Sequence, residues 1–204
     1  MWAQALSHRV PSYGYVLTEM NLENKLDTQK LSEDKIPPGP VWGQIQNGQD
    51  ITLPSGVVIS HKDYLLAQRK PRKIIVGGDN DNPELLADVI TAADVLIHES
   101  TYTDAISVKV GPGPQHSSAK SVASFAEKHG LKHLLLTHFS ARYQYGSKAD
   151  SNISEIEDEA KQYYSGQLHL ANDLDHFKLD NQGQFKRIRN LKNKKSMKSQ
   201  IPLN

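Results

Sequence analysis

The sequence predicts a layered α/β domain that is interrupted by a polar insertion and followed by a basic tail. Three observations carry this reading. From Lys73 onward, short apolar runs alternate with amphipathic stretches in a β-α-β rhythm. Residues 17–70 are polar and contain Ile36-Pro37-Pro38-Gly39-Pro40, and the stretch from Phe185 onward holds seven Lys or Arg and no acid. The domain is accordingly assigned to residues 1–16 and 71–184, the insertion to 17–70, and a tail expected to be disordered to 185–204.

Taken in order, Lys73 to Val76 reads as a buried strand running into Gly77-Gly78-Asp79. Asn82 before Pro83 is an N-cap and first-turn pair, with Leu85, Leu86, Val89 and Ile90 on one helical face. Val95 to His98 is a second strand, and the loop Gly111-Pro112-Gly113-Pro114 leads to His116-Ser117-Ser118. Val122, Phe125 and Ala126 then mark a helix stopped by Gly130, and Leu134 to Thr137 is a third strand delivering His138. Ile153, Ile156, Ala160 and Tyr163 give another amphipathic helix, stopped by Gly166, and Leu168 to Leu170 and His176 to Leu179 are two closing strands. In the insertion, turns at Gly48 and Ser55-Gly56 bracket a hairpin-like stretch from Asp50 to Ile59.

Composition narrows the chemistry. With 204 residues the chain can form one domain and an appended arm, and its hydrophobic fraction of 37% suggests that part of it is not core. The absence of Cys removes disulfides and thiolate metal sites, so a bound metal must rest on His and carboxylates. No apolar run is long enough to span a membrane, and the start of the chain lacks a basic segment followed by an apolar one, which sets the expected location as the cytoplasm. The formal charge of +1 conceals an acidic body and a basic tail, and the tail suits either phosphate contact or solubility.

Asp79, His98-Glu99 and His138 all fall where strands end, the usual position of ligand-binding and catalytic groups in α/β folds. His8, in Leu6-Ser7-His8-Arg9-Val10-Pro11-Ser12-Tyr13-Gly14-Tyr15, is a fourth candidate. A lone strand-end histidine is usually structural, and the combination is the informative signal. His61, His129, His133, His169 and His176 lack such contexts and are read as surface or core residues. His133 opens the strand that ends near His138, at an odd offset that places it on the opposite face. Asp94, Asp173 and Asp175 are read as structural.

These motifs, in this order, resemble ribonuclease Z, a zinc-dependent endoribonuclease family of the metallo-β-lactamase superfamily. The resemblance extends to about Leu179. It implies that His8, Asp79 and His138 are zinc ligands, the last within Leu136-Thr137-His138-Phe139-Ser140-Ala141-Arg142-Tyr143. It also implies proton transfer by His98, Glu99 and His116, from the stretches His98-Glu99-Ser100-Thr101 and His116-Ser117-Ser118. In the complete enzyme two zinc ions are expected, with Asp79 as the bridge and His116, oriented by Glu99, as proton donor to the leaving ribose oxygen. Arg142 either supports the ligand strand or meets a phosphate.

The resemblance further implies the C-terminal half of a metallo-β-lactamase αββα sandwich. The insertion, including Pro38, Gly39 and Pro40, resembles an exosite arm that grips precursor tRNA, and the complete enzyme is expected to be a homodimer that removes 3′ trailers. Two departures stand out. The His-x-His-x-Asp-His string that supplies most ligands is not in this sequence, so the N-terminal half is expected to be missing, the chain inactive alone, and one face of its sheet exposed. Asn80 stands where the family has Thr, which raises the question of what supports Asp79. The alternatives are a non-catalytic RNA-binding or assembly module, and another metallo-β-lactamase phosphodiesterase.

Overall fold

The computed structural model describes residues 1–20, 22–144 and 151–188. Contacts divide the chain into two compact units, one of residues 1–18 and 72–204 and a smaller one of residues 19–71. The chain opens with a hairpin of β1 (Trp2–Leu6) and β2 (Ser12–Thr18), paired antiparallel around the turn that carries His8.

The smaller unit has its own core. Its helices are α1 (Thr28–Glu33) and α2 (Pro40–Gln46), followed by the two-residue strands β3 (Ile51–Thr52) and β4 (Val58–Ile59). Asp27 caps α1 by accepting from the Lys30 amide at 3.0 Å, and Pro40 starts α2 where a missing N–H costs nothing. Leu31, Ile36, Ile45, Ile51, Ile59 and Tyr64 are buried together. Pro37 to Pro40 are exposed, held between buried Ile36 and half-buried Trp42, whose indole donates to the Ile36 carbonyl at 3.1 Å.

The larger unit continues with β5 (Lys73–Val76), α3 (Ala87–Ile90), β6 (Val95–Glu99), α4 (Asp104–Val110), α5 (Ala119–Lys128), β7 (His133–Thr137), α6 (Ile153–Tyr163) and β8 (Gln167–Leu170). The single helix expected after Asn82 is instead a 3-10 turn, Pro83–Leu86, continued by α3, with Asn82 capping it as its sequence suggests. One sheet runs β1-β2-β5-β6-β7-β8, in which β5 to β8 are parallel.

Strand alternation sorts the side chains between two faces. Ile75, Leu96, Leu134 and Leu136 face α5 and α6, meeting Val122, Phe125, Ala126, Ile156 and Ala160 in the main core. Val95 and Leu135 face the other way, against Leu179 and Phe185 of a second hairpin, β9 (His176–Leu179) and β10 (Phe185–Ile188).

This hairpin corrects two expectations. Phe185 to Ile188 is not disordered tail: Phe185 stacks on Phe177 at 5.2 Å, and Arg187 lies over the Phe177 ring and pairs with Asp175 at 3.1 Å. The rest of the tail, from residue 189, lies outside the described residues. The exposed sheet face is also smaller than expected, because the hairpin covers β6 and β7 and leaves Tyr13, Tyr15 and Leu17 of β2 exposed.

The hairpin seats on two histidines. His133, on the face opposite the helices, places its ring 5.8 Å from Phe185 and one nitrogen 2.8 Å from the Gly183 carbonyl. The His169 ring meets Phe177 and Phe185 edge-on, with Nε2 buried and without a hydrogen-bond partner. Burial, then the positive character of His133 and Arg187, hold the His169 pKa below its usual value, against a backbone hydrogen bond at Phe185. The unfolded chain therefore binds this proton more readily below pH ~6.5, and the associated stability, present above that value, is lost as pH falls toward the folded pKa. His169→Phe is expected to make the melting temperature fall less between pH 7 and pH 5.5 than it does in the parent chain. Equal losses in thermal melts would show that His169 does not contribute.

Candidate metal centre

The parallel strands β5, β6 and β7 end at one edge of the sheet and deliver Asp79, Glu99 and His138 there. Gly77 and Gly78 allow the turn to Asp79: a Cβ on Gly78 would lie 2.6 Å from Ser12 Oγ and 2.9 Å from the Tyr13 carbonyl oxygen. The β1–β2 turn brings His8, and the loop before α5 brings His116.

Asp79 sits between two imidazoles. His8 Nε2 is 3.7 Å from one carboxylate oxygen, and His138 Nε2 is 3.7 Å from the other. The His116 ring completes the group, 5.0 Å from that of His8 and 5.1 Å from that of His138.

Each imidazole is held through its Nδ1, which leaves Nε2 to face the group. His8 Nδ1 lies 3.0 Å from the Gln115 carbonyl. His138 Nδ1 lies 3.0 Å from Thr101 Oγ1, which is 2.7 Å from Glu99, and His116 Nδ1 is 3.2 Å from Glu99. Two of these positions adopt left-handed backbone, Gln115 at φ 56° and His138 at φ 58°. Such strain is tolerated where surrounding bonds fix the chain, and it collects at functional sites.

Glu99 is the buried organiser. Besides His116 and Thr101 Oγ1 it accepts from the amides of Ser117 at 2.7 Å, Thr101 at 2.9 Å and Asn80 at 3.4 Å. These bonds draw the Asn80 loop and the His116–Ser117 loop toward one carboxylate.

His98 does not join the group. It is fully buried, its Nδ1 donates to the Glu99 carbonyl at 2.7 Å, and its Nε2 lies 3.2 Å from the Asn80 side-chain amide. Burial holds its pKa below the usual histidine value, against the opposing Glu99 carbonyl and charge. The two contacts fit a neutral ring protonated at Nδ1. Enclosed in this way, His98 contacts Asn80 and has no exposed surface.

Sequence reasoning missed what Asn80 does. Its Oδ1 accepts from the amides of Ser7 and Asn82, each at 3.2 Å, and its Nδ2 reaches the Asn82 carbonyl at 2.9 Å. It thereby ties the loop carrying His8 to the loop carrying Asp79. The departure from Thr was visible, but the partner Ser7 lies 73 residues away and has no signal of its own. Thr101 and Gln115 were missed likewise.

Arg142 donates from Nε to Ser140 Oγ at 3.2 Å and lies over the Tyr102 ring, which itself meets His116 edge-on at 6.3 Å. Pro38, Gly39 and Pro40 belong to the smaller unit. His61 pairs with Asp50 at 2.7 Å, Asp94 accepts from the Lys73 amide at 2.8 Å, and Asp175 accepts from the Asn172 amide at 2.8 Å. Among the described residues no helix is long and apolar enough to cross a membrane.

The donor set suits a divalent metal. Donor atoms of His8, Asp79 and His116 all lie within 4.8 Å of one another, and so do those of Glu99, His116 and His138. Imidazole and carboxylate are ordinary zinc ligands, and fixing each ring through its second nitrogen is the usual support for them.

No protein-family model matches the chain. Among curated proteins, Ribonuclease Z of Marinobacter nauticus is 50% identical over 184 residues, 90% of this chain, and Ribonuclease Z of Pseudomonas putida strain GB-1 is 51% identical over 178 residues, 87% of it. The chain spans 57% and 56% of the lengths of these two relatives. Among solved structures, human tRNase Z, short form, matches 84% of this chain and 39% of its own at 24% identity, with a TM-score of 0.41.

Proposed function

From its homology to ribonuclease Z over nine-tenths of its length, we propose that this chain is part of a zinc-dependent endoribonuclease that removes 3′ trailers from tRNA precursors. The observation that carries this reading is the placement of the two Asp79 oxygens, each 3.7 Å from Nε2 of a different histidine. A carboxylate so placed can bridge two cations, with His8 completing one and His138 the other. Asp79, His8 and His138 would hold zinc there, where it would lower the pKa of a bound water and polarise the oxygens of a phosphodiester.

The protein groups have separate tasks. Gln115 and Thr101 hold the ligand rings in one tautomer, Asn80 joins the His8 and Asp79 loops, and Glu99 holds the Nδ1 proton of His116. His116 then presents Nε2 to the leaving ribose oxygen as general acid. Arg142, partly spread over Tyr102, offers a guanidinium to a phosphate beside the ring that faces His116. The smaller unit supplies remote contacts to the RNA through exposed Pro38, Gly39 and Pro40. The remainder of the sandwich, with its His-x-His-x-Asp-His ligands, a homodimeric assembly and a cytoplasmic location belong to the same reading and rest on family likeness.

The test is exchange. Substituting this chain for the matching segment of a bacterial ribonuclease Z relative is expected to give an enzyme that cleaves precursor tRNA at the 3′ end in a chelator-sensitive way. A well-folded product that binds precursor tRNA in a gel shift, yet never cleaves it with zinc present, would favour the non-catalytic RNA-binding alternative.

A further inference from the structure

We propose that this chain by itself holds one divalent transition-metal ion, with His116 as a ligand beside His8 and Asp79. The inference rests on the metal reading of the site given above, and it assigns His116 a task that proton donation does not require.

A tetrahedral ion with bonds of ~2.0–2.1 Å sets its donor atoms about 3.3 Å apart. His8 Nε2 and Asp79 Oδ2 are at 3.7 Å, so small side-chain rotations bring them to that spacing. One ring nitrogen of His116 lies within 4.8 Å of a donor atom of His8 and of a donor atom of Asp79. Because Nδ1 faces Glu99 at 3.2 Å, the nitrogen left for the ion is Nε2. A carboxylate behind a histidine in this way fixes the tautomer and raises the basicity of the ligand nitrogen.

Burial decides between the two groupings that contain His116. The side chains of His8 and His116 are 4% and 10% exposed, whereas that of His138 is 49% exposed. The first pair is already ordered and loses little freedom on binding. In the other grouping Glu99 would itself have to act as a ligand, but both of its oxygens are occupied by the Ser117 amide and by the amide and hydroxyl of Thr101. The ion therefore sits on the His8 side, with water as its fourth ligand. Where further ligands complete that position, His116 is released to its role as acid.

Cobalt is the probe, since imidazole and carboxylate sites accept it and its visible bands report coordination. The metal-free chain titrated with Co²⁺ is expected to take up one ion with visible absorption that zinc abolishes. His116→Ala should weaken uptake by about 100-fold or more, the upper end of what loss of a supporting group costs, while His138→Ala should change it less than about 5-fold on the same scale. The cobalt-loaded parent chain should show a paramagnetically shifted ring N–H resonance that is missing from the His116→Ala chain, a signal that a residue outside the coordination sphere does not produce. Circular dichroism of each variant separates loss of a ligand from loss of fold. The assignment is overturned by no cobalt uptake, by uptake unaffected in a folded His116→Ala chain, or by a shifted N–H spectrum that the same substitution leaves unchanged. None of these results touches the two-metal reading, which fails separately if the exchanged enzyme needs neither metal nor Asp79.

Discussion

Asp79→Ala in an enzyme carrying this segment is expected to reduce precursor tRNA cleavage to background and to remove most of its bound zinc. The reason is the position of the carboxylate, with its two oxygens equally distant from Nε2 of His8 and of His138. Removing it separates the two imidazoles and leaves both cations without their shared negative charge, which water does not replace. Elemental analysis alongside turnover checks this. An active, zinc-loaded Asp79→Ala enzyme would contradict the assignment of Asp79 as the bridge.

The second large effect is expected at His116, and it is of a different kind. In the same complete enzyme His116→Ala should slow turnover by ~10²–10⁴-fold, the range of a positioned general acid. Zinc content should not change, because the proposed reading gives the metals other ligands in that enzyme. The acid reading rests on the Glu99 contact at 3.2 Å, which fixes the ring and its tautomer. A loss of zinc in step with activity would make His116 a ligand in the complete enzyme also, and leave proton donation to another group.

Much of this site can be read from the sequence because it stands on strand ends. Lys73 to Val76, Val95 to Glu99 and His133 to Thr137 are short apolar runs broken by a polar residue, and the parallel ladder brings those breaks to one edge. What supports the site is harder to read, since it depends on pairings between distant residues. His8 is oriented by a carbonyl 107 residues away and His138 by a hydroxyl 37 away, and neither partner belongs to a periodic pattern. The surroundings of His98 are hard to read for a related reason. A histidine beside Glu99 suggests proton transfer, and only packing shows that it is sealed in and bonded to Asn80.

The elements left unread have physical causes too. α4 has no fully buried residue, and its Ile106, Val108 and Val110 alternate with polar residues at a period of two, so nothing in the sequence marks it as a helix. β10 was hidden by charge: Phe-Lys-Arg-Ile opens a basic stretch, yet Arg187 is used on Phe177 and Asp175 while Phe185 fills the space under the hairpin. On β2 the exposed row Tyr13, Tyr15 and Leu17 alternates with Gly14 and Val16, which are buried. It is an apolar patch on the face of an interior strand, suited to cover by a partner surface.

In the proposed function Asp79 would bridge two metals, one held by His8 and one by His138. Anomalous diffraction at the zinc edge, from crystals of the enzyme carrying this segment, tests it most directly. Two peaks about 3.5–4 Å apart on either side of the Asp79 carboxylate are expected, one within bonding distance of His8 and the other of His138. A single peak, or two peaks that Asp79 does not touch, would contradict the account.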